Sequence, residues 1–529
     1  MGVPRAVPPR ERPTPENRIR QDDLAVPLLE FTLGEQPIRS PIRLAGLLLL
    51  GGLITACGGG GGSSNEAPQS SPTPRPSPVT PVTPPGPATS AGRIILRNGD
   101  VLLDDLRVSN IEDGALAPDG TAALVVSIAE SGQRAIVLRR TDGTYLPVFD
   151  PRTDTTGVDA TSISRVRLAA DGTVVFQTGT GLDRVRLYRI ADGRLEGLAG
   201  VAPGPVFPEF RILGNVRLGS TGNVAFGGGG GECEVVVGDE EPQVTCTNSL
   251  YVADDTGVTR LDDDALDLSR QRATAVRVEL DPAGGAWFSL PRRGSAPMLL
   301  RWANGEATSV LDAATSLDGI GTLNSAEAVA INAAGQVLVE GGVQEFTGDR
   351  RPQVLGVLDD EAFSPLALEG TSLDGTGVAA LRGLGIDDNG RALFEARLGE
   401  PDSPTTQQNS LWLGSANGLE RIVREGSPFP GEETTVLTLL GSRLNPAGDV
   451  AFITELGSSA EGVARLDEVR ATVRRADGRL VTVASTRHTG QFGALSAMQI
   501  VGYDEAGSLL LIGTRGRSSD RILLLGPSD

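Results

Sequence analysis

The feature that most constrains this chain is a short motif that recurs eight times between residues 116 and 511. Each copy has an apolar residue, a polar turn that ends in glycine and an alternating apolar segment, as in LAADGTVVF at 168–176 and LNPAGDVAF at 444–452. The turn glycines are Gly120, Gly172, Gly222, Gly284, Gly335, Gly390, Gly448 and Gly507, at separations of 50 to 62 residues. Self-similarity at such a period indicates a repeat architecture.

Each copy of the motif predicts a β-hairpin. Glycine adopts positive φ at a tight turn without strain, and Asp or Asn before it favours the same turn. Residues two and four positions after the glycine fall on one face of the following strand, because strand side chains alternate between faces. The residue four positions after is apolar in every copy: Leu124, Phe176, Phe226, Phe288, Val339, Phe394, Phe452 and Leu511.

A second hairpin follows in most units, with turn signals such as TDG at 141–143, ADG at 191–193 and NG at 304–305. Four short strands per unit, repeated in tandem, are typical of a β-propeller blade. Isolated hairpins are marginal in water, so the blades must stack to bury the phenylalanines. We therefore predict an all-β fold, a β-propeller of eight four-stranded blades over residues 93–529, with seven blades as the alternative count. An open β-solenoid is the rival architecture, but its coils are usually shorter and it needs capping ends.

The two ends of the repeat region predict how the ring closes. Residues 93–103 (RIILRNGDVLL) read as the outer hairpin of a blade that lacks its inner half. The chain ends with an inner hairpin at 503–513 and one further strand at 521–525. We expect the N-terminal and C-terminal strands to share the closing blade, which would leave no exposed edge at the junction.

The segment before the repeats predicts export and lipid anchoring. Residues 44–56 are uncharged, follow Arg39 and Arg43, and are too few to span a bilayer as a helix. A basic flank, a short apolar run and small residues before a cleavage site describe a secretory signal. The tetrapeptide 54–57 (ITAC) resembles the bacterial lipobox, and this resemblance implies that Cys57 is acylated and becomes the mature N-terminus. A poorly cleaved signal or a buried apolar strand is the alternative interpretation.

We divide the N-terminal region into two parts. Residues 1–56 are expected to be the signal peptide with an extra stretch before it, translation beginning downstream of Met1. Residues 57–92, which are rich in Gly, Pro, Ser and Thr, are expected to be a disordered linker, because they cannot bury enough apolar surface to offset ordering. By resemblance to sorted lipoproteins, Gly58 after the cysteine implies the outer membrane.

Net charge restricts the partners. The chain carries a formal charge of −20, and its basic residues are all arginine. Nucleic-acid affinity depends on basic side chains that neutralise phosphates, so we expect no nucleic-acid partner. Anionic lipid head groups would repel such a protein, so the lipid on Cys57 must provide the membrane attachment, and we expect a monomer.

A family resemblance supports the repeat assignment. The NxxGxVAF-type turn and strand, together with REGSPFPGEE at 424–433, resembles the tandem repeats of uncharacterised secreted bacterial lipoproteins with a propeller-like fold. The resemblance covers most of residues 93–526. It implies no catalytic residue that can be assigned to this chain.

Few residues offer chemistry. Cys233 and Cys246 predict one structural disulfide, because exported proteins keep oxidised cysteine pairs. His488, the one histidine, is expected in a surface loop, and one histidine with three cysteines excludes most zinc, haem and iron–sulfur sites. The aspartate runs 261–267 and 386–390 could offer oxygens to Ca²⁺, but neither matches a full calcium loop, and turn chemistry explains the second. We expect no cofactor and no metal site.

Three arginines form the one ligand-binding candidate. Arg167, Arg217 and Arg443 each lie five residues before a turn glycine, on what should be the innermost strand. Around a central channel they could hold an anion. Alternatively they could pair with acidic residues between blades, and Glu279 at the equivalent position of the fourth unit favours this.

The sequence therefore predicts an envelope lipoprotein whose β-propeller is a non-enzymatic binding or scaffolding module. Its partner would be a cell-envelope polysaccharide or another envelope protein. The alternative is a carboxylate-based glycan hydrolase or lyase that acts in the channel, which would require two suitably spaced carboxyl groups. No catalytic residue is assigned, because no nucleophile or hydrolase motif is present.

Overall fold

A computed structural model describes residues 92–529 with gaps. The gaps are 104, 155–156, 180–184, 201–209, 237–242, 262–276, 291–298, 312–314, 318, 346–351, 361, 401–402, 404–405, 461–462, 488–494, 517–519 and 527–529. Cys57, the linker, His488 and most of the aspartate run 261–267 lie outside the described residues. In the described part, the strands form eight antiparallel sheets of four or five strands, one for each repeat.

Each sheet is one blade, and the strands are numbered along the chain. Blade 1 contains β2 (Val101–Leu102), β3 (Leu106–Leu116), β4 (Ala122–Ile128), β5 (Arg134–Arg139) and β6 (Tyr145–Phe149). Blade 2 contains β7 (Ser164–Leu168), β8 (Val174–Thr178), β9 (Arg186–Ala191) and β10 (Arg194–Ala199). Blade 3 contains β11 (Phe210–Leu218), β12 (Val224–Val236), β13 (Gln243–Asp254) and β14 (Gly257–Leu261). Blade 4 contains β15 (Arg277–Leu280), β16 (Ala286–Ser289), β17 (Leu299–Ala303) and β18 (Glu306–Leu311).

The second half of the ring follows the same order. Blade 5 contains β19 (Ser316–Leu317), β20 (Gly321–Ile331), β21 (Val337–Glu345), β22 (Gln353–Asp359) and β23 (Ala362–Leu368). Blade 6 contains β24 (Ser372–Leu373), β25 (Thr376–Ile386), β26 (Ala392–Leu398), β27 (Gln408–Ser415) and β28 (Gly418–Arg424). Blade 7 contains β29 (Thr435–Leu444), β30 (Val450–Ala460), β31 (Val463–Arg474) and β32 (Leu480–Ser485). Blade 8 contains β33 (Leu495–Tyr503), β34 (Leu509–Arg515), β35 (Asp520–Leu525) and β1 (Arg93–Arg97).

The blades form a closed ring, as the repeats predict. One strand of each blade contacts its counterpart in the next blade, and the last contacts the first; these inner strands are β3, β7, β11, β15, β20, β25, β29 and β33. Apolar side chains fill every junction, including blade 7 against blade 8 and blade 8 against blade 1. The chain is thus an eight-bladed β-propeller.

The second strand of each blade is buried on both faces. Phe176, four residues after its glycine, packs against blade 1 with Phe149, whereas its neighbour Val175 packs against blade 3. All five of the predicted phenylalanines are 0–1% exposed. Because each blade lies between two others, both alternating faces of these strands must be apolar. This explains the continuous apolar runs that follow the turn glycines.

The closing blade combines both ends of the chain. Strand β1 pairs antiparallel with β35, which places Arg93 opposite Leu525. The prediction that residues 93–103 form one hairpin of this blade is wrong in detail, because β2 pairs with β3 in blade 1 instead. The backbone crosses between the blades at Gly99, which has a φ of 92°, and the Asp100 carboxylate accepts a 2.8 Å hydrogen bond from the Arg97 N–H.

In three blades a short segment, which we call the lead-in segment, comes directly before the inner strand. The sequence repeats did not reveal it. In each, a glycine N–H donates to a valine carbonyl of the inner strand at 2.7–2.8 Å, and a large apolar residue three positions later is buried. The glycines are Gly99, Gly370 and Gly426, and the apolar residues are Leu102, Leu373 and Phe429. The REGSPFPGEE stretch is therefore one of several related elements.

We expect Leu96→Ala to destabilise the ring by about 2–5 kcal/mol, because Leu96 on β1 is 1% exposed and packs at the junction of blades 8 and 1. The free energy of unfolding in urea measures this change. Leu440→Ala is the matched control, since Leu440 is 45% exposed and its loss should change stability by about 0.5 kcal/mol or less. Equal effects of the two substitutions would contradict closure by β1.

Candidate functional site

The three candidate arginines all lie on inner strands, and the structure separates them into two groups. Arg217 on β11 donates two hydrogen bonds to Glu279 on β15, at 2.8 and 2.6 Å. The carboxylate raises the pKa of the Arg217 guanidinium, since a nearby negative charge favours the protonated form. Arg217 therefore joins blades 3 and 4, which is the structural alternative that Glu279 suggested.

This pair belongs to a longer row of alternating charges. Arg277 lies 3.7 Å from Glu279 and 3.4 Å from Glu327 on β20 of blade 5. Opposite charges thus alternate across three neighbouring blades near the ring axis. A bound anion would have to compete with these carboxylates for Arg217.

Arg167 and Arg443 are the exposed members of the set. Each has its Nη1 near the carbonyl of the preceding residue, Val166 at 3.0 Å and Ser442 at 3.5 Å. Between them around the ring lie blades 8 and 1. The equivalent residues there, Gly502 and Ala115, are small. Two blades with a small residue at this position therefore separate the inner strands that carry the two arginines.

Two half-buried carboxylates, Glu340 and Glu395, occupy equivalent positions on the second strands of blades 5 and 6, five residues after their turn glycines. Burial raises the pKa of both carboxyls above the ordinary glutamate range. Sequence reasoning missed them, because the same position is Val125, Gln177 or Ile453 in other blades.

Both carboxylates accept from the next blade: Glu395 from the Ser442 hydroxyl at 3.5 Å, and Glu340 from the backbone at a β-bulge that recurs in the inner strands. The inner strand of blade 6 shifts register between Gly383 and Gly385, and the Gly383 N–H donates to Glu340. In blade 5 the shift follows Ala328, whose N–H donates to the Ser289 hydroxyl of blade 4 at 2.8 Å. A bulge leaves a backbone donor without a ladder partner, so a side chain from the neighbouring blade satisfies it.

A second set of polar residues lies at the turns between the first and second strands of the blades. We call this set the turn belt. Five consecutive blades carry a buried Asp or Asn three residues before the turn glycine, and its Oδ1 accepts a 2.6–2.9 Å hydrogen bond from the N–H four residues on. These residues are Asp281, Asn332, Asp387, Asn445 and Asp504.

The asparagines of the belt join neighbouring blades. The Nδ2 of Asn332 donates to the carbonyl of Asp387 at 2.9 Å, and that of Asn445 donates to the carbonyl of Asp504 at 3.1 Å. In blade 3, Asn223 donates to the carbonyl of Gly284 at 3.2 Å. The carbonyls of Asp387 and Asp504 also accept from the N–H of their own turn glycines, at 3.0 and 3.2 Å, so each asparagine gives a turn carbonyl a second donor from the neighbouring blade.

The remaining sequence candidates are placed as follows. In the run 386–390, Asp387 accepts from Arg391 Nε at 2.7 Å and Asp388 accepts from the Ala333 N–H at 3.0 Å, so both carboxylates serve the turns. The backbone ladder of β12 and β13 places Cys233 directly opposite Cys246. Among the described residues, no group of three or more His, Cys, Asp and Glu side chains is arranged to hold a metal ion. No described helix is long and apolar enough to cross a membrane.

The ring, its bulge links and its turn belt define the class of this protein as an eight-bladed β-propeller closed by its N-terminal strand. Residues 386–518 match the model of a family described as a family of unknown function, DUF7453. A search of curated proteins finds no match.

Solved structures with a similar fold are distant in sequence. One is the β-propeller domain of the Trilobed protease from Pyrococcus furiosus, described as having an open velcro topology, at 12% identity and a TM-score of 0.39, covering 71% of this chain and 97% of that one. Another is the Dos1 propeller, at 10% identity and a TM-score of 0.39, covering 82% and 94%. A third is Porphyromonas gingivalis dipeptidyl peptidase 4, at 10% identity and a TM-score of 0.40, covering 76% of this chain and 57% of that one.

We expect Arg217 and Glu279 to show a coupling free energy of about 0.5–3 kcal/mol in a double-mutant cycle, because they share two hydrogen bonds across a blade junction. The cycle uses Arg217→Ala, Glu279→Ala and the double variant, with stability measured by urea unfolding. Arg443 with Glu279 is the matched control pair, since they lie on blades 7 and 4 and should not couple. A coupling free energy near zero between Arg217 and Glu279 would contradict the structural role and make Arg217 a candidate for ligand binding again.

Proposed function

We propose that this protein is an exported lipoprotein whose β-propeller is a non-enzymatic binding or scaffolding module of the cell envelope, attached to the outer membrane through Cys57. The observation that supports a non-enzymatic role is that the carboxylates near the inner strands are bonded to neighbouring blades. Glu279, Glu340 and Glu395 each contact the side chain or backbone of a neighbouring blade. Groups held in this way stabilise a rigid ring that can present a ligand surface.

The ligand we propose is an anionic cell-envelope polysaccharide, bound by Arg167 and Arg443. Both side chains are exposed on inner strands, in a molecule whose net charge is −20. A local positive charge in an acidic protein attracts an anion selectively, and arginine binds carboxylate or phosphate through paired N–H groups. Attachment at Cys57 would hold this surface next to the envelope.

The second candidate is a glycan hydrolase or lyase. The raised pKa values of Glu340 and Glu395 favour it, because catalytic acids need a carboxyl that stays protonated near neutral pH. Structural desolvation between blades also produces such shifts, and the link from Gly383 to Glu340 supports that explanation.

We also propose that Cys233 and Cys246 form a disulfide. Residues directly opposite in an antiparallel pair have their Cβ atoms about 4.5–5.5 Å apart, next to the upper end of the range of about 3.5–4.5 Å that a disulfide spans. Their register on β12 and β13 supports this pairing.

We expect Cys57→Ser to move the protein from the membrane fraction to the soluble fraction, because it removes the acylated residue. Cys233→Ser is the matched control and should leave the protein with the membrane. The chain has no lysine, so the α-amine of Cys57 would be the one primary amine after cleavage. An amine-reactive label on the mature protein then reports whether that amine is acylated, and a wild-type protein that is soluble would contradict the proposal.

We expect the double variant Arg167→Ala, Arg443→Ala to lose binding to anionic polysaccharide by about a hundredfold or more, since two charge-assisted contacts of about 1.5–3 kcal/mol each are removed. Binding is measured by calorimetry at low and high salt. The matched control is Arg479→Ala on an exposed turn, which should bind normally. Unchanged binding by the double variant would remove this site. Hydrolysis of the polysaccharide that is abolished by Glu340→Gln would favour the enzyme instead.

A further inference from the structure

The last member of the turn belt, Asp504, differs from the others. Its Oδ1 accepts from the Ser508 N–H at 2.6 Å, as in the other turns. Asp504 is 3% exposed. Its Oδ2 is buried, and this atom has no hydrogen-bond partner among the described residues. A buried carboxylate oxygen that lacks a donor is costly, because burial disfavours the charged form.

The other two aspartates of the belt have arginine partners at the same atom. Oδ2 of Asp281 accepts from Arg301 at 3.1 Å, and Oδ2 of Asp387 accepts from Arg391 at 2.7 Å. In blade 8 the residue equivalent to Arg391 is Ser508. Asp504 therefore keeps the backbone interaction of a belt aspartate without the cation that accompanies it elsewhere.

The charged and titratable groups around Asp504 come from three blades. Arg475 and Asp449 on the blade 7 side bind each other at 2.9 Å and lie against the turn of Gly507. On the blade 1 side, Oδ2 faces the turn of Gly120, where an added Cβ would lie 3.7 Å from it. That turn carries Asp119, which accepts two hydrogen bonds from Thr121.

Within blade 8 itself, the adjacent groups are Tyr503 and Glu505. The Tyr503 hydroxyl is buried and has no partner among the described residues. Burial, together with the carboxylate of Asp449, raises its pKa, so it stays protonated. Burial also raises the pKa of Asp504 above the usual aspartate range. The backbone N–H groups of Ser508, Gly507 and Ala506 lower this pKa, but their effect is smaller than that of burial.

The position of Oδ2 matches an amide donor of the belt. In blades 5 and 7 the equivalent atom is the Nδ2 of Asn332 and Asn445, which donates to the turn carbonyl of the following blade. The following blade for Asp504 is blade 1, where the equivalent carbonyl belongs to Ala117. A protonated carboxyl has an O–H donor, whereas an ionised carboxylate can only accept.

We propose that Asp504 is a neutral carboxylic acid whose proton completes the turn belt between the last blade and the first. Acid then strengthens the junction where the ring closes, and alkali weakens it. The switch lies at the junction between the last blade and the first.

The sign of the pH dependence follows from linkage. A carboxyl with a higher pKa in the folded than in the unfolded chain stabilises the fold fully below the unfolded value, here the ordinary 3.8. That stabilisation is lost as the pH rises through the folded value. An asparagine at this position would keep its donor at every pH.

The test compares the full-length wild type with Asp504→Asn between about pH 4 and about pH 8. At the alkaline end we expect the variant to have a Tm about 2 °C higher. We also expect amide exchange in the turn 117–121 to be about tenfold slower, equal to about 1.4 kcal/mol. At the acid end the two proteins should coincide.

Two controls separate the switch from a general loss of stability. Asp387→Asn makes the same substitution where the carboxylate binds Arg391, and it should lower the Tm at both ends of the pH range. Asp504→Ala removes the Oδ1 acceptor as well and should also lower the Tm throughout. A difference between wild type and Asp504→Asn that does not change with pH, or a lower Tm for Asp504→Asn at alkaline pH, would overturn the proposal.

Discussion

Burial on both sides of every blade is the constraint on which the rest of this structure depends. The second strands are apolar on each alternating face, so a blade needs a neighbour on each side to remove Phe176 or Val175 from water. A linear stack would leave two such faces exposed at its ends. Closing the stack into a ring gives every blade two neighbours, and the apolar clusters at all eight junctions show that this is achieved.

Apolar contacts alone would not fix how one blade is aligned on the next, because they are non-directional. Polar links supply this alignment at two levels. Near the axis, bulges in the inner strands present N–H groups to side chains such as Ser289 and Glu340. At the turns, Asn332 and Asn445 bind the next turn directly. Several polar side chains of the described interior are therefore engaged in assembly, which directs the search for ligands to exposed arginines and loops.

The sequence predicted the blade count, the closing blade and the buried phenylalanines, because turn glycines and strand periodicity depend on local chemistry that every copy repeats. It did not predict contacts that differ between copies. The turn-belt position, three residues before each turn glycine, is occupied by Ala117, Ala169 and Gly219 in the first three blades. The repeats therefore did not mark this position as polar. For Arg217 the sequence left two alternatives, a bound anion or an acidic residue of a neighbouring blade, since spacing alone cannot show which group faces the arginine. The lead-in segments share only a glycine and one apolar residue.

The pairing of β1 with β35 joins the first and last described strands of the chain. The ring therefore cannot close until the final strand has been synthesised. Until then, blade 1 lacks the neighbour that covers its outer apolar face. Loss of either end strand would open the same blade, so the integrity of the ring depends on both ends of the repeat region.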